Sequence, residues 1–212
     1  MEIHLQSYLF VKFIINNIYD SDKNNRQNEK SIIMISTEMK TKICDYLFSF
    51  ENSHLYAVID GASVSGLLEA IKKNNTQYCC LLSGKLDLEL AQAAPYLAKL
   101  ETKSPLTEWL LDGWGTHSGI YCVIDESVSF MDVRKHFRSI QIVKNYDNKS
   151  IFFRYYDPRV MNVYLPTCTG NEAKQMFGPT AIYVLEGEKG DSVNKYSFIE
   201  GEVRLKEYLY TA

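Results

Sequence analysis

Short apolar runs of strand length alternate with helical patterns along this chain. That rhythm predicts a mixed α/β fold, a mixed β-sheet flanked by helices. Three observations carry the prediction. Residues 55–59 and 78–82 are apolar runs closed by Asp60-Gly61-Ala62 and by Ser83-Gly84, with Leu67, Leu68 and Ile71 at helical spacing between them; this is the layout of a β–α–β unit with a crossover helix. Ser104-Pro105 places a capping hydroxyl before a proline at the first helical position. Residues 140–143 and 151–156 flank a polar turn at 146–149 and read as a hairpin. With 212 residues the chain can build a sizeable core. It divides into an extension over 1–38, a three-layer α/β lobe over 39–149 and a smaller α+β lobe over 150–212.

The elements follow in order. Met39, Ile43, Tyr46, Leu47 and Phe50 give an amphipathic first helix. The strand at 55–59 ends at Asp60, and Ser63 or Ser65 is placed to cap the next helix. Residues 86–93 fit helix and strand equally well. Pro95 forbids a central helix turn and suits strand entry. The helix opened by Ser104 takes Leu106, Trp109 and Leu110 as its apolar side and ends at Gly113; Trp114-Gly115 turns into a strand over 119–124. Ser129 followed by Asp132 resembles a capping box opening a short basic helix, with Phe130, Val133 and Phe137 facing inward. Helices are expected over 160–165 and 171–177, a strand over 181–185, and a last strand or helix after the turn at 187–191.

Composition narrows the function classes. Hydrophobic residues make up 46% and charged residues 23%, as in ordinary globular proteins. The 15 Tyr and 10 Phe suit either a large interface or half-buried strands. Net charge is −3, against the basic footprint of a nucleic-acid binder. Residues 131–159 depart from this balance, with seven Lys/Arg and three acids. That run is either a solvated helix face or a partner face, with Arg134 and Arg138 as its candidate contacts. The five Cys match no zinc or disulfide framework, so reduced thiols and a cytoplasmic setting follow. Four dispersed His argue against a metal site, and no cofactor is expected. The apolar run at 8–15 is broken by Lys12 and is too short to cross a membrane. It lacks a basic leader and a cleavage site, and no signal peptide or membrane association is expected. Residues 1–33 read as a loosely attached extension, an amphipathic partner helix, or the product of an upstream start.

Few constellations carry chemistry. Asp60 ends a strand, a position enzymes use, but it precedes Gly61 and suits a turn. Cys122 and His117 can be drawn as a nucleophile and base, yet Cys122 lies mid-strand and reads as a buried structural thiol. The stretch Phe152-Phe153-Arg154-Tyr155-Tyr156-Asp157-Pro158-Arg159 is the most distinctive local pattern. Arg154 alternates with Phe153 and Tyr155 and needs a partner, because an unpaired buried charge costs several kcal/mol. Asp157 is its nearest candidate. Pro158 sets the corner, and Arg159 is expected to point elsewhere, toward another element or a partner.

Several ordered pieces carry a family resemblance: Leu55-Tyr56-Ala57-Val58-Ile59-Asp60-Gly61-Ala62, then Ala94-Pro95-Tyr96-Leu97, then Trp109 with Gly113-Trp114-Gly115, then the basic helix over 130–137. Phe153-Arg154-Tyr155-Tyr156-Asp157-Pro158-Arg159-Val160 and Gln175-Met176-Phe177-Gly178-Pro179 complete the set. Over residues 55–185 the chain resembles the effector-associated adaptors, or chaperones, of bacterial type VI secretion, a family first described as a domain of unknown function. The resemblance implies a cytoplasmic adaptor that binds a toxic effector and loads it onto the VgrG spike protein, without catalysis. It marks Asp60, Gly61, Pro95, Tyr96, Trp109, Arg154, Tyr156, Asp157 and Pro158 as family positions with structural roles, and leaves Arg159 as a candidate contact. A loading factor must hold and later release its cargo, so an affinity between ~1 nM and ~1 μM is expected. The expected binding mode is a groove, rich in aromatics and poor in charge, that takes a helix of the effector. A small-molecule enzyme using Asp60 and the His117/Cys122 region, and a nucleic-acid module using residues 131–159, are the alternatives.

Overall fold

A computed structural model describes residues 35–74, 76–144 and 148–210. The calls on residues 1–33 and on Tyr146 and Asp147 of the hairpin turn lie outside the described residues. Ser36 caps the first helix, α1 (Thr37–Leu47), by accepting from the Met39 N–H at 3.1 Å, and Ile43 and Leu47 are its buried side. The chain continues through β1 (Ser53–Asp60), α2 (Leu67–Lys73), β2 (Tyr78–Cys80), α3 (Leu88–Ala93) and β3 (Pro95–Leu100). Then come α4 (Pro105–Asp112), β4 (Gly119–Asp125), α5 (Phe130–Ser139) and the hairpin β5 (Ile142–Lys144) and β6 (Ser150–Phe152). The last third holds α6 (Pro158–Tyr164), a 3₁₀ turn at Leu165–Thr167, α7 (Gly170–Phe177), β7 (Thr180–Glu186), β8 (Ser192–Ile199) and β9 (Glu202–Leu209).

Seven strands form one sheet in the order β2-β3-β1-β4-β7-β8-β9, and every neighbouring pair is antiparallel. The expected crossover exists: β1 and β2 run the same way and α2 connects them. The sheet nevertheless contains no parallel neighbours, because β3 returns between them. The strands beyond residue 150 continue this sheet through β7 on β4, while β5 and β6 pair separately.

The fold is α/β with helices on both sheet faces. On one face Ala57, Ile59, Ala98, Tyr121 and Val123 pack against Ile43, Leu67, Ile71, Leu106, Leu111 and Trp114. On the other, Tyr56, Val58, Cys122, Tyr183 and Tyr196 pack against α5, α6, α7 and the stretch at 153–156. Period-two alternation in the strands therefore feeds two apolar layers, which is why β1 is buried along nearly its whole length.

Several local expectations are corrected. The cap of α2 is Gly66, at φ +75° and without a side-chain bond, because the Ser63 hydroxyl is taken by Asp60. Trp109 does not join the buried side of α4; Leu106, Thr107, Leu110 and Leu111 form that stripe, and Trp109 is rotated to the exposed surface. Trp114 is the buried tryptophan, stacked on Tyr121 with ring centroids 5.7 Å apart. At α5 the Ser129 hydroxyl accepts from the Asp132 N–H, but the Asp132 carboxylate returns to that hydroxyl rather than to the backbone, so the box is half made. The strand expected over 151–156 stops at Phe152. Phe153 N–H still donates to the Gln141 carbonyl at 2.7 Å, and the chain then turns inward to bury its aromatics.

Candidate functional site

The antiparallel register sets Asp60, the last residue of β1, opposite Pro95, the first of β3. Pro95 suits this entry position, and its carbonyl accepts from the Leu81 N–H at 2.9 Å. Gly61 follows because nothing larger fits: a Cβ there would lie 2.4 Å from the Ala94 carbonyl oxygen and 2.5 Å from that of Gln92. Asp60 is 2% exposed. Its carboxylate accepts from the Ala62 N–H at 3.1 Å, from the Ser63 hydroxyl at 2.7 Å and from the Arg154 guanidinium. It therefore shapes the turn and receives an arginine 94 positions away.

Asp60, not Asp157, is thus the carboxylate that holds Arg154. Asp157 pairs with Arg159, whose Nε and Nη2 donate at 3.0 and 2.8 Å in a fork. The Arg159 backbone N–H donates to the same carboxylate at 3.0 Å, which caps α6 behind Pro158. Arg159 accordingly forks onto the carboxylate of its own corner. The local turn carries the first helical residues toward Asp157, whereas the Arg154 side chain reaches across to the end of β1.

The rest of the stretch is core. Phe153, Tyr155 and Tyr156 are all buried. Tyr155 stacks on Phe137 at 5.8 Å and donates its hydroxyl to the Phe137 carbonyl at 2.9 Å; burial pushes its phenol well above the ordinary range. The Arg154 guanidinium carbon lies 5.7 Å from the centre of the Tyr156 ring, a cation–π contact that steadies it over the corner.

A cleft of about 570 Å³ opens above this corner, between the turn at 61–66, α2 and α3. Ser63, Ser65, Leu68, Glu69, Glu89 and Gln92 are among its walls. The residues forming it include no aromatic side chain, unlike the groove the sequence suggests. Its outer wall is unusual. Asp87 caps α3 by accepting from the Leu90 N–H at 2.8 Å, yet α3 buries none of its residues, and Leu88 and Leu90 face solvent. The helix is tied down by Tyr96, whose hydroxyl donates to the Ala91 carbonyl at 2.7 Å and whose phenol burial pushes up to about 12.

The other candidates are dispersed. Arg138 donates through Nη2 to the carbonyls of Cys80 and Leu82 at 3.1 and 2.8 Å, which ties α5 to the end of β2. Arg134 is half-buried one turn earlier, near Cys79. Cys122 is fully buried between its register partners Tyr56 and Tyr183, and burial pushes its thiol well above the ordinary value. His117 precedes β4 at φ +59° and bonds elsewhere: its backbone N–H donates to Glu186 Oε2 at 2.9 Å, with Nδ1 3.3 Å from the same oxygen. Asp60, His117 and Cys122 are not gathered into one site. Among the described residues no cluster of His, Cys, Asp and Glu is placed to hold a metal.

Sequence reasoning missed His136. Its ring bonds the Met176 carbonyl at 3.1 Å and fills the space over Gly178, where a Cβ would lie 2.3 Å from the imidazole. Gly178 also sits at φ +50°, so glycine is required twice over. Burial lowers the His136 pKa to about 4. In the sequence the Gly178-Pro179 pair is the visible signal at this close approach.

Residues 55–175 match the model of a family described as a domain of unknown function (DUF4123). The match covers more than half of the chain, from the strand that carries Asp60 through both corners to α7. Comparison with the curated proteins and with the solved structures gave no match.

Proposed function

The chain belongs to the DUF4123 family, and from that premise we propose that it is a cytoplasmic adaptor of type VI secretion, which binds an effector and promotes its loading onto the VgrG spike without catalysis. The observation that carries the reading is the cleft beside α3. A helix with no buried residue, presenting Leu88 and Leu90 to water, borders the cleft through Glu89, Gln92 and Ala93, and the turn on the opposite side follows directly on Asp60 and its ion pair with Arg154. Exposed leucines on a helix beside a cleft are suited to docking a helical segment of another protein. The acidic groups Glu69 and Glu89 at its rim favour a segment with basic flanks.

The residues of the enzyme alternative have other engagements. The Asp60 carboxylate is occupied on both oxygens, and the Cys122 thiol is held protonated in the core. Among the described residues no helix is long and apolar enough to cross a membrane.

Co-expression with the effector encoded beside this gene tests the reading. A stable complex should copurify and, in the presence of VgrG, a ternary one. Replacing both Leu88→Asp and Leu90→Asp should weaken effector capture by roughly 10–100-fold, the effect of removing an apolar anchor, with the melting temperature unchanged. Copurification of neither effector nor spike protein defeats the adaptor reading. Unchanged capture by the double variant moves the binding face away from α3.

A further inference from the structure

The sheet ends in an open edge with two chemically distinct faces. The turn between β8 and β9 is two residues long, with Glu200 at φ +56° and Gly201 at φ +85°. Positive φ at both positions is the primed geometry that makes Ile199 and Glu202 a hydrogen-bonded pair. Hydrogen-bonded pairs alternate along an antiparallel ladder. Arg204, Lys206 and Tyr208 therefore bond inward to β8, while the backbone groups of Val203, Leu205, Glu207 and Leu209 point outward. The Tyr210 N–H donates to the Asp191 carbonyl at 3.0 Å and keeps the same phase. Among the described residues no strand lies beyond β9.

One face of this edge is cationic. Lys206 stands directly opposite Lys195 of β8, and Arg204 opposite Ser197. Like charges in register repel, and among the described residues neither Lys195 nor Lys206 forms an ion pair with a carboxylate. Lys206 Nζ lies 4.9 Å from the Tyr208 ring centre and Lys195 Nζ 5.5 Å from that of Phe50. The acids nearby are Glu202 at the turn and Glu200, which takes Arg204 at 2.7 Å. The other face carries Val203, Leu205 and Leu209, the last two 51% and 67% exposed. Glu207 shares it and accepts from the Ser192 hydroxyl at 3.0 Å.

A second copy is a poor occupant. Full antiparallel overlap of two β9 strands, centred on Leu205, would set Arg204 against Lys206 on both sides. We propose that β9 is a strand-addition site for an extended segment of a partner protein that alternates acidic and apolar residues. The acidic side chains would meet Arg204 and Lys206, and the apolar ones would cover Leu205 and Leu209. The surface lies beyond the family match at 55–175 and apart from the α3 cleft. It does not rest on the adaptor reading, and failure of the test below leaves that reading standing.

The test titrates the full chain at low salt into two fluorescent nonapeptides, one alternating glutamate and valine and one alternating lysine and valine. Binding of the glutamate peptide should be at least about tenfold tighter, the scale of a few cross-strand charge pairs. Amide hydrogen exchange should slow at Val203, Leu205, Glu207 and Leu209. Leu205→Pro removes an outward N–H that β8 does not use, so binding should fall by about tenfold or more with the fold kept. Should that variant fail to fold, Arg204→Glu with Lys206→Glu decides, by reversing the preference between the peptides. Equal binding of the two peptides, protection confined to other segments, or an unaffected folded Leu205→Pro overturns the proposal. So does a dimer in sedimentation that Leu205→Pro dissolves, which would make the second copy the occupant.

Discussion

Asp60 and Asp157 are each 2% exposed and each held by an arginine, but the two corners they build do different work. Asp157 closes a contact with a residue two positions on and caps the helix it starts, so its corner is complete within a few residues. Asp60 closes a contact with Arg154 across 94 positions, so its corner exists only when the sheet and the stretch after β6 have come together. The first is a local device that any chain passing through this turn can form. The second fastens the layer of α5, α6 and the aromatics to the far end of β1. One chemistry, a buried carboxylate with a guanidinium, thus serves as a helix cap in one place and as a long-range clasp in the other.

Mutation separates the two. Asp60→Ala should cost the most, about 3–5 kcal/mol, because it removes the contact that spans 94 positions and the turn held through Ala62 and Ser63 together. For a chain of this size that lowers the melting temperature by roughly 10 °C. A loss below about 1 kcal/mol in urea unfolding would mean that the clasp is not holding the layers.

Acid tests a buried neutral group in the same layer. The folded pKa of His136, about 4, lies below its ordinary value of 6.5. Between those values the unfolded chain takes up a proton that the folded chain refuses. The contribution is therefore fully present above pH 6.5, falls as the pH drops, and levels off below about 4, a total of about 3 kcal/mol. Unfolding free energies measured from pH 7 to 4 should show this slope, and His136→Gln should flatten it. An equal slope in the variant assigns the acid sensitivity to other groups.

Asp157→Ala should cost less than Asp60→Ala, about 2–3 kcal/mol. It removes a cap, worth about 1 kcal/mol, and leaves an arginine that is 23% exposed and can turn to water. Under the adaptor reading this is a loss of fold rather than of contact surface; an Asp157→Ala variant with unchanged melting but no effector binding would reverse that assignment. Trp109→Ala should be mildest, about 1 kcal/mol or less, since the ring lies at the surface. A loss near that of a core tryptophan, about 3–5 kcal/mol, would show that Trp109 carries packing its exposure conceals.

The sequence by itself determined much of this protein. Apolar runs set the strands at 55–59, 119–124 and 181–185, and Ser104-Pro105 and Ser129 set two helix starts, because capping and alternation are satisfied by neighbours a few positions away. The α/β class follows from those elements. Tertiary structure alone decided the rest. Whether β3 would insert between β1 and β2, which carboxylate would receive Arg154, and which tryptophan would be buried all depend on groups brought together from distant positions. The α3 cleft was illegible for the same reason: residues 86–93 fit either element, and the Tyr96 hydroxyl on the Ala91 carbonyl and the Gly61 N–H on the Ala94 carbonyl fix that helix beside the turn at 61–66. Charge made the difference sharpest. A local rule assigns an arginine in an apolar stretch to the nearest acid, but in the fold Asp157 is taken by its own helix, and Arg154 reaches Asp60, which the sheet delivers to it.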